Sequence, residues 1–187
     1  GNNLLCPPFS LGIQGILGRD YIDLRKPSAK KLEAIALTPS SALGSCRMKP
    51  TADDCRKIFE EFKRLEVGFF FYIGGNDSAD AARIIGEEAE KDGYPLVVYH
   101  IPKTIDNDLA NTDYTFGFDT AISVATDGLD RVRTTGMSHH RIMVVEIMGR
   151  GAGWMTLHAG IAGAADAILI PEIPYDINKV ADKIKAD

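Results

Sequence analysis

The chain has 187 residues, and 21 Lys+Arg against 26 Asp+Glu give a formal net charge of −5. With 45% hydrophobic and 25% charged residues it has the balance of a soluble globular protein, long enough for one large domain or two small ones with a core that needs no staples. The mild acidity argues against a nucleic-acid or anionic-membrane surface, which needs a clustered basic face, and neither an 18-residue apolar run nor a signal-peptide shape is present.

Residues 1–50 show no clean period. Gly12, Gly15 and Gly18 recur among apolar residues after Cys6-Pro7-Pro8, and no buried strand opens the chain, so it reads as beginning inside a domain. Cys6, Cys46 and Cys55 are odd in number and form no CxxC pair, which speaks for structural thiols in a reducing cytoplasm rather than a disulfide framework or zinc site. From residue 51 the pattern sharpens. Thr51 has the character of an N-cap with Asp54 three residues on, and Ile58, Phe59, Phe62 and Leu65 share one helical face. The unbroken apolar run 67–73 predicts a strand buried on both faces, closed by Gly74-Gly75-Asn76-Asp77-Ser78 and an amphipathic helix to Asp92. Residues 96–101 predict a second strand, ended by Pro102 and an acidic segment. Phe118, Ala121, Ile122, Ala125, Leu129 and Val132 then recur at helical spacing. Residues 141–148 predict a third strand running into Gly149-Arg150-Gly151-Ala152-Gly153 and an alanine-rich helix. Residues 167–170 predict a fourth strand, stopped by Pro171, and Asp176 caps a last helix. Strands that alternate with helices in this way predict an α/β fold with mainly parallel sheets flanked by helices.

In such folds ligands bind at the carboxyl ends of the strands, where three polar loops fall. In the first, Gly74 and Gly75 let backbone approach a ligand, the following helix N-terminus offers free N–H groups to an anion, and Ser78 either caps that helix or contacts phosphate. Asp77 is the odd member, because a carboxylate there repels a phosphate unless a cation intervenes. A tight turn with an N-cap explains the same residues. In the second loop, Lys103-Thr104-Ile105-Asp106-Asn107-Asp108, two carboxylates at i and i+2 face one way if the segment is extended. Such a pair suits Mg²⁺ and the acceptance of a hydroxyl proton, with Lys103 and Thr104 near phosphoryl oxygens; a solvated acidic turn is the competing reading. In the third, Arg150 between glycines suits bidentate phosphate contact. Arg141 lies at the other end of the same predicted strand, so one site in a single chain does not readily use both. Trp154 occupies the last glycine position of G-x-G-x-x-G, so the dinucleotide fingerprint fails, and no GxxxxGK[ST] is present. Cations with an Asp pair and no nucleophilic triad point to phosphoryl transfer.

The segments 74–78, 102–108, Thr112-Asp113 with 117–121, and Met148-Gly149-Arg150 resemble, in order and spacing, the signature segments of the 6-phosphofructokinase family, from about residue 40 to the end. The resemblance implies two α/β domains with the active site between them, an N-terminal one over 1–117 carrying the donor and metal loops and the start of a second over 118–187. It implies that Asp106 is the general base for the 1-hydroxyl of fructose 6-phosphate, and that Thr104 and Asp108 assist the transferring phosphoryl group and the metal. Met148, Gly149 and Arg150 would grip the sugar phosphate. Arg141 matches an arginine that reaches the sugar phosphate of a neighbouring subunit, implying a homo-oligomer with a shared site. Arg47 matches the arginine that neutralises the phosphoryl group in flight. Gly75, Asp77, Ser78 and Lys103 would bind the donor, with Asn76 and Asp108 at the Mg²⁺.

ATP-using members of that family carry glycine at the positions of Asp77 and Lys103, whereas pyrophosphate-using members carry Asp and Lys. The resemblance thus implies pyrophosphate as donor and the reversible formation of fructose 1,6-bisphosphate in glycolysis. Asn76 departs from the acidic residue common there. The glycine-rich donor loop expected ahead of the first helix is not visible, and the residues that complete the sugar-phosphate pocket lie beyond Asp187, so the chain reads as a truncated piece, inactive alone. The alternatives are an ATP-dependent 6-phosphofructokinase, a non-catalytic regulatory subunit of such an enzyme and, at the level of fold, a dinucleotide-binding oxidoreductase.

Overall fold

A computed structural model describes residues 8–186. The chain divides into two compact units, Gly1–Ile101 and Pro102–Asp187.

The first unit opens with helix α1 (Ile13–Gly18) and helix α2 (Ala29–Ala36), the stretch in which the sequence shows no period. Residues 8–22 fold back on themselves through a bridge between Phe9 and Tyr21, and Ile13 and Ile16 of α1 are buried. Helix α3 (Ala52–Arg64) begins as expected. The Thr51 hydroxyl accepts the Asp54 N–H at 3.2 Å and the Asp54 carboxylate accepts the Thr51 N–H at 2.9 Å, a reciprocal capping box. Its apolar face buries Cys55, Ile58, Phe59 and Phe62. Strand β1 (Phe69–Gly74), helix α4 (Asn76–Lys91) and strand β2 (Val97–Pro102) follow, a β–α–β unit whose two strands pair in parallel. Phe70 packs into a core with Phe62, Val67, Ala81, Ile85 and Ala89. Against expectation β1 is buried on one face only. Phe69, Phe71 and Ile73 are exposed, and Phe71 stacks on Tyr99 of β2 with ring centroids 5.0 Å apart. The core that α1, α3 and α4 form with β1 holds Phe70, and a strand is buried on both sides only when elements pack on both faces of its sheet.

The second unit holds helix α5 (Phe118–His139), helix α6 (Trp154–Ala162), which packs on α5, and helix α7 (Ile177–Ala186). Asp176 sits at the start of α7 as expected, its carboxylate accepting the Asn178 N–H at 2.8 Å. The expected strands at 141–148 and 167–170 are absent: among the described residues β1 and β2 are the only named strands. Residues 141–147 have the apolar composition of a strand, yet no ladder partner, and Val144 is 91% exposed. An apolar run becomes a strand only when a neighbour takes up its backbone N–H and C=O groups.

Among the described residues no helix is long and apolar enough to cross a membrane. Cys46 and Cys55 are free thiols, while Cys6 lies outside the described residues. Burial pushes the Cys55 thiol up to about 11, which suits a structural role.

Candidate active site

In the first unit the loop after β1 turns directly into α4. Gly74 must be glycine, since a Cβ there would collide with the Ser78 side chain. Ser78 is not the cap that its spacing suggests. Gly75 occupies the N-cap position, no side chain caps the helix, and Ser78 is the third helical residue. The helix therefore presents a first turn of backbone N–H groups unblocked by a capping side chain, the arrangement that attracts anions. His100 of β2 fixes the turn from beside it, its Nε2 lying 2.9 Å from the Gly74 carbonyl oxygen.

Beside this helix start lies a cleft of about 230 Å³ lined by Cys46, Arg47, Met48, Lys49, Tyr72, Asp77 and Ser78. Arg47, Asp77 and Ser78, singled out separately in the sequence, are thus neighbours. The loop that carries Arg47 has no regular structure, and Arg47 is exposed. Lys49 was missed by sequence reasoning. It contacts Asp77 Oδ1 at 3.3 Å and Asp80 Oδ2 at 2.9 Å, and these carboxylates, Asp80 foremost, raise its pKa. It is the cation that faces the carboxylate at position 77. Burial pushes the Tyr72 phenol up to about 12, so the wall it forms is neutral.

In the second unit the loop after β2 carries Lys103, Thr104, Asp106 and Asp108. Its shape comes from two residues without a role in the reading of the sequence, Asn107 and Thr115. Asn107 adopts a left-handed conformation with φ of 52°, which Asn tolerates better than most residues. Its amide oxygen accepts the Thr115 N–H at 2.9 Å and its NH₂ donates to the Asp113 carbonyl at 3.1 Å. The buried Thr115 hydroxyl in turn donates to the Thr104 carbonyl at 2.6 Å. Asp106 is held between Thr104 and Asn107, and its own N–H donates to the Thr104 hydroxyl at 3.2 Å. Asp106 Oδ1 is out of solvent and no donor among the described residues reaches it. A buried acceptor left without a donor costs about 1–3 kcal/mol, which makes this oxygen a candidate acceptor for a ligand's donor. Lys103 and Asp108 are exposed on either side.

The third loop is also in the second unit. Gly149 has a φ of 141° and a Cβ there would strike the Ala152 carbonyl, so only glycine fits. Arg150 is left-handed at 54° and exposed, and Met148 is exposed. Glu172 anchors the far end by accepting the Gly153 N–H at 2.7 Å, a contact no local spacing announces. Arg141 is exposed just beyond the left-handed cap of α5, with its N–H donating to the Gly136 carbonyl at 2.9 Å.

No group of three His, Cys, Asp or Glu side chains among the described residues forms a metal cage. Asn76 of the first unit and Asp108 of the second each carry a side-chain oxygen of the hard type that Mg²⁺ prefers.

The phosphofructokinase family profile matches residues 8–187. The chain belongs to the phosphofructokinase family. A pyrophosphate–fructose 6-phosphate 1-phosphotransferase of Rhodospirillum rubrum is 39% identical to this chain over 179 residues, 93% of it and 44% of the relative. An ATP-dependent 6-phosphofructokinase of Chloroflexus aurantiacus is 57% identical over 135 residues, 72% of this chain and 36% of the relative. Among solved structures, a pyrophosphate-dependent phosphofructokinase from Nitrosospira multiformis superposes with a TM-score of 0.84 at 34% identity, covering 95% of this chain and 47% of that one. The chain thus spans less than half the length of these relatives, and the phosphofructokinase-like α/β architecture expected from its motifs is the one it has.

Proposed function

We propose that the protein carrying this chain transfers a phosphoryl group from pyrophosphate to the 1-hydroxyl of fructose 6-phosphate. The observation that carries this reading is the Asp77 carboxylate on the wall of the cleft beside the start of α4, with Arg47, Lys49 and Ser78 around it. A nucleotide's inner phosphate at that wall would meet the bulk and the charge of a side chain where glycine would leave room. A bare diphosphate needs less room and gains from Arg47, with Lys103 assigned to the donor on the resemblance to pyrophosphate-using members alone.

In the proposed reaction Asp106 takes the proton of the 1-hydroxyl, and the hydroxyl oxygen forms a bond to the terminal phosphorus of pyrophosphate as the bridging P–O bond breaks. Orthophosphate leaves and fructose 1,6-bisphosphate remains. The unpartnered Oδ1 of Asp106 suits this role, because a hydroxyl donating to it satisfies a buried acceptor and aligns the proton in one contact. Arg47 offsets charge on the moving group, and Thr104 and Asp108 bind beside it. Met148, Gly149 and Arg150, with Arg141 from a neighbouring subunit of a homo-oligomer, hold the sugar phosphate. Asn76 and Asp108 would hold Mg²⁺, which when bound withdraws charge from the phosphoryl oxygens.

The 57% identity to a relative named as ATP-dependent favours ATP as the second reading. An assay of the full-length protein with fructose 6-phosphate, Mg²⁺ and either donor separates the two. Turnover with pyrophosphate alone is expected. Turnover with ATP alone would overturn the role of Asp77 and keep that of Asp106, and silence with both would leave a non-catalytic subunit.

A further inference from the structure

Lys49 lies two residues beyond Arg47 and lines the same cleft as Asp77 and Ser78. Its ammonium bridges two carboxylates of α4, Asp80 at 2.9 Å and Asp77 at 3.3 Å. Asp80 is itself steadied by Arg83 at 3.5 Å on the next turn of the helix. Arg83 lies nearer Glu87, at 2.7 Å, so Lys49 at 2.9 Å is the closer cation of Asp80, and Asp80 serves as a post to which Lys49 is tied. Among the side chains that line the cleft, Arg47 and Lys49 stand against Asp77, two cations to one carboxylate, beside a helix start that also favours anions. Without Lys49 that ratio falls to one to one, and Asp77 loses the cation in contact with it.

We propose that Lys49 is a positioning residue for the phosphoryl donor: tied to Asp80, it neutralises Asp77, so that a side chain which obstructs a nucleotide does not also repel an inorganic diphosphate. The inference rests on reading the cleft as the donor site. It gives Lys49 a role that acts through Asp77 and not through direct capture of phosphate alone. Bare electrostatics would otherwise make an aspartate a poor neighbour for a polyanion, since like charges a few ångströms apart disfavour one another strongly once water is displaced.

The test is a double-mutant cycle in the full-length protein: wild type, Lys49→Met, Asp77→Asn and the double variant, with Lys49→Arg as the charge-conserving control. The readouts are KM and kcat with pyrophosphate and, independently, calorimetric binding of Mg²⁺-pyrophosphate. Lys49→Met is expected to raise KM and Kd for pyrophosphate roughly three- to tenfold with kcat little changed, and Lys49→Arg to recover most of that loss. In the Asp77→Asn background the same Lys49→Met change should have less than half its effect. Lys49 and Asp77 are both exposed, so melting midpoints should stay within about 2 °C of wild type and exclude misfolding as the cause. An equal Lys49 effect in both backgrounds would make Lys49 an independent phosphate ligand and overturn the proposal, as would no effect in either. A wild-type protein that neither binds nor uses pyrophosphate would instead bring down the donor reading, and this inference with it.

Discussion

Asp106 and its neighbours show how a single residue's chemistry depends on the backbone that presents it. In the proposed reaction the carboxylate serves as a base only if a hydroxyl can reach it, and the Asn107–Thr115 contacts hold the loop that presents it by engaging the chain on both sides. Asp106→Asn keeps the size of the side chain and removes its capacity to take a proton. In the full-length protein kcat should fall by roughly 10²–10⁴ while KM changes little, as expected where a proton acceptor is lost and ground-state contacts remain. Steady-state kinetics with saturating donor measures this, and a kcat within threefold of wild type would remove Asp106 from the reaction. Asp106 was legible in the sequence because two carboxylates at i and i+2 are conspicuous. Asn107 and Thr115 were not, because their function is to satisfy backbone groups of residues whose proximity only the fold creates. Lys49 escaped notice for the same reason: its partners lie on α4, far along the chain, and a lone lysine in a loop has no pattern.

At the scale of elements, what could be read was what local chemistry dictates. The α3 start was evident from Thr51 and Asp54, and the β1–α4–β2 unit from two apolar runs around an amphipathic stretch. The strands expected at 141–148 and 167–170 failed because apolar composition expresses a wish for burial and says nothing about whether a partner strand is at hand. The Thr51 box offers a clean measurement at this scale. Replacing Thr51 with Ala leaves the Asp54 N–H without its hydroxyl acceptor and removes the hydroxyl's own 2.7 Å bond to the Asp54 carboxylate, while the Thr51 N–H keeps that carboxylate as acceptor. The expected cost is about 1 kcal/mol of stability, read as a shift of the urea midpoint at constant m-value, with Thr51→Ser restoring most of it. A midpoint indistinguishable from wild type would mean that α3 is held by its buried face alone.

On the scale of the molecule, the first unit depends on one charged cluster set against its apolar core. Glu61 of α3 is buried, 3% exposed, and accepts from Arg64 Nε at 3.0 Å within its own helix and from Arg19 Nε at 3.1 Å, which arrives from the loop after α1. This cluster joins the segment 8–22 to the helix that carries most of the core, alongside the Phe9–Phe62 ring contact. A buried carboxylate with two guanidinium partners is costly to break from one side, because the charge is then left without compensation. The Arg64 hydrogen bonds above all, then the charges of Arg64 and Arg19, lower the pKa of Glu61 from its ordinary value of 4.5. A folded-state value below the unfolded one binds fewer protons in the native state, so the cluster stabilises the fold fully above the ordinary value. That contribution is lost as pH falls from about 4.5 through the lowered folded value, and it does not vary on the alkaline side up to neutrality. Glu61→Gln retains size and some hydrogen bonding but does not titrate. Thermal melts of the two proteins from pH 7 down to 3 should show a stability advantage of wild type that is flat to about pH 5 and then narrows with acidification. A wild-type advantage that persisted unchanged to pH 3 would show that the guanidinium contacts act through packing and not through the charge of Glu61.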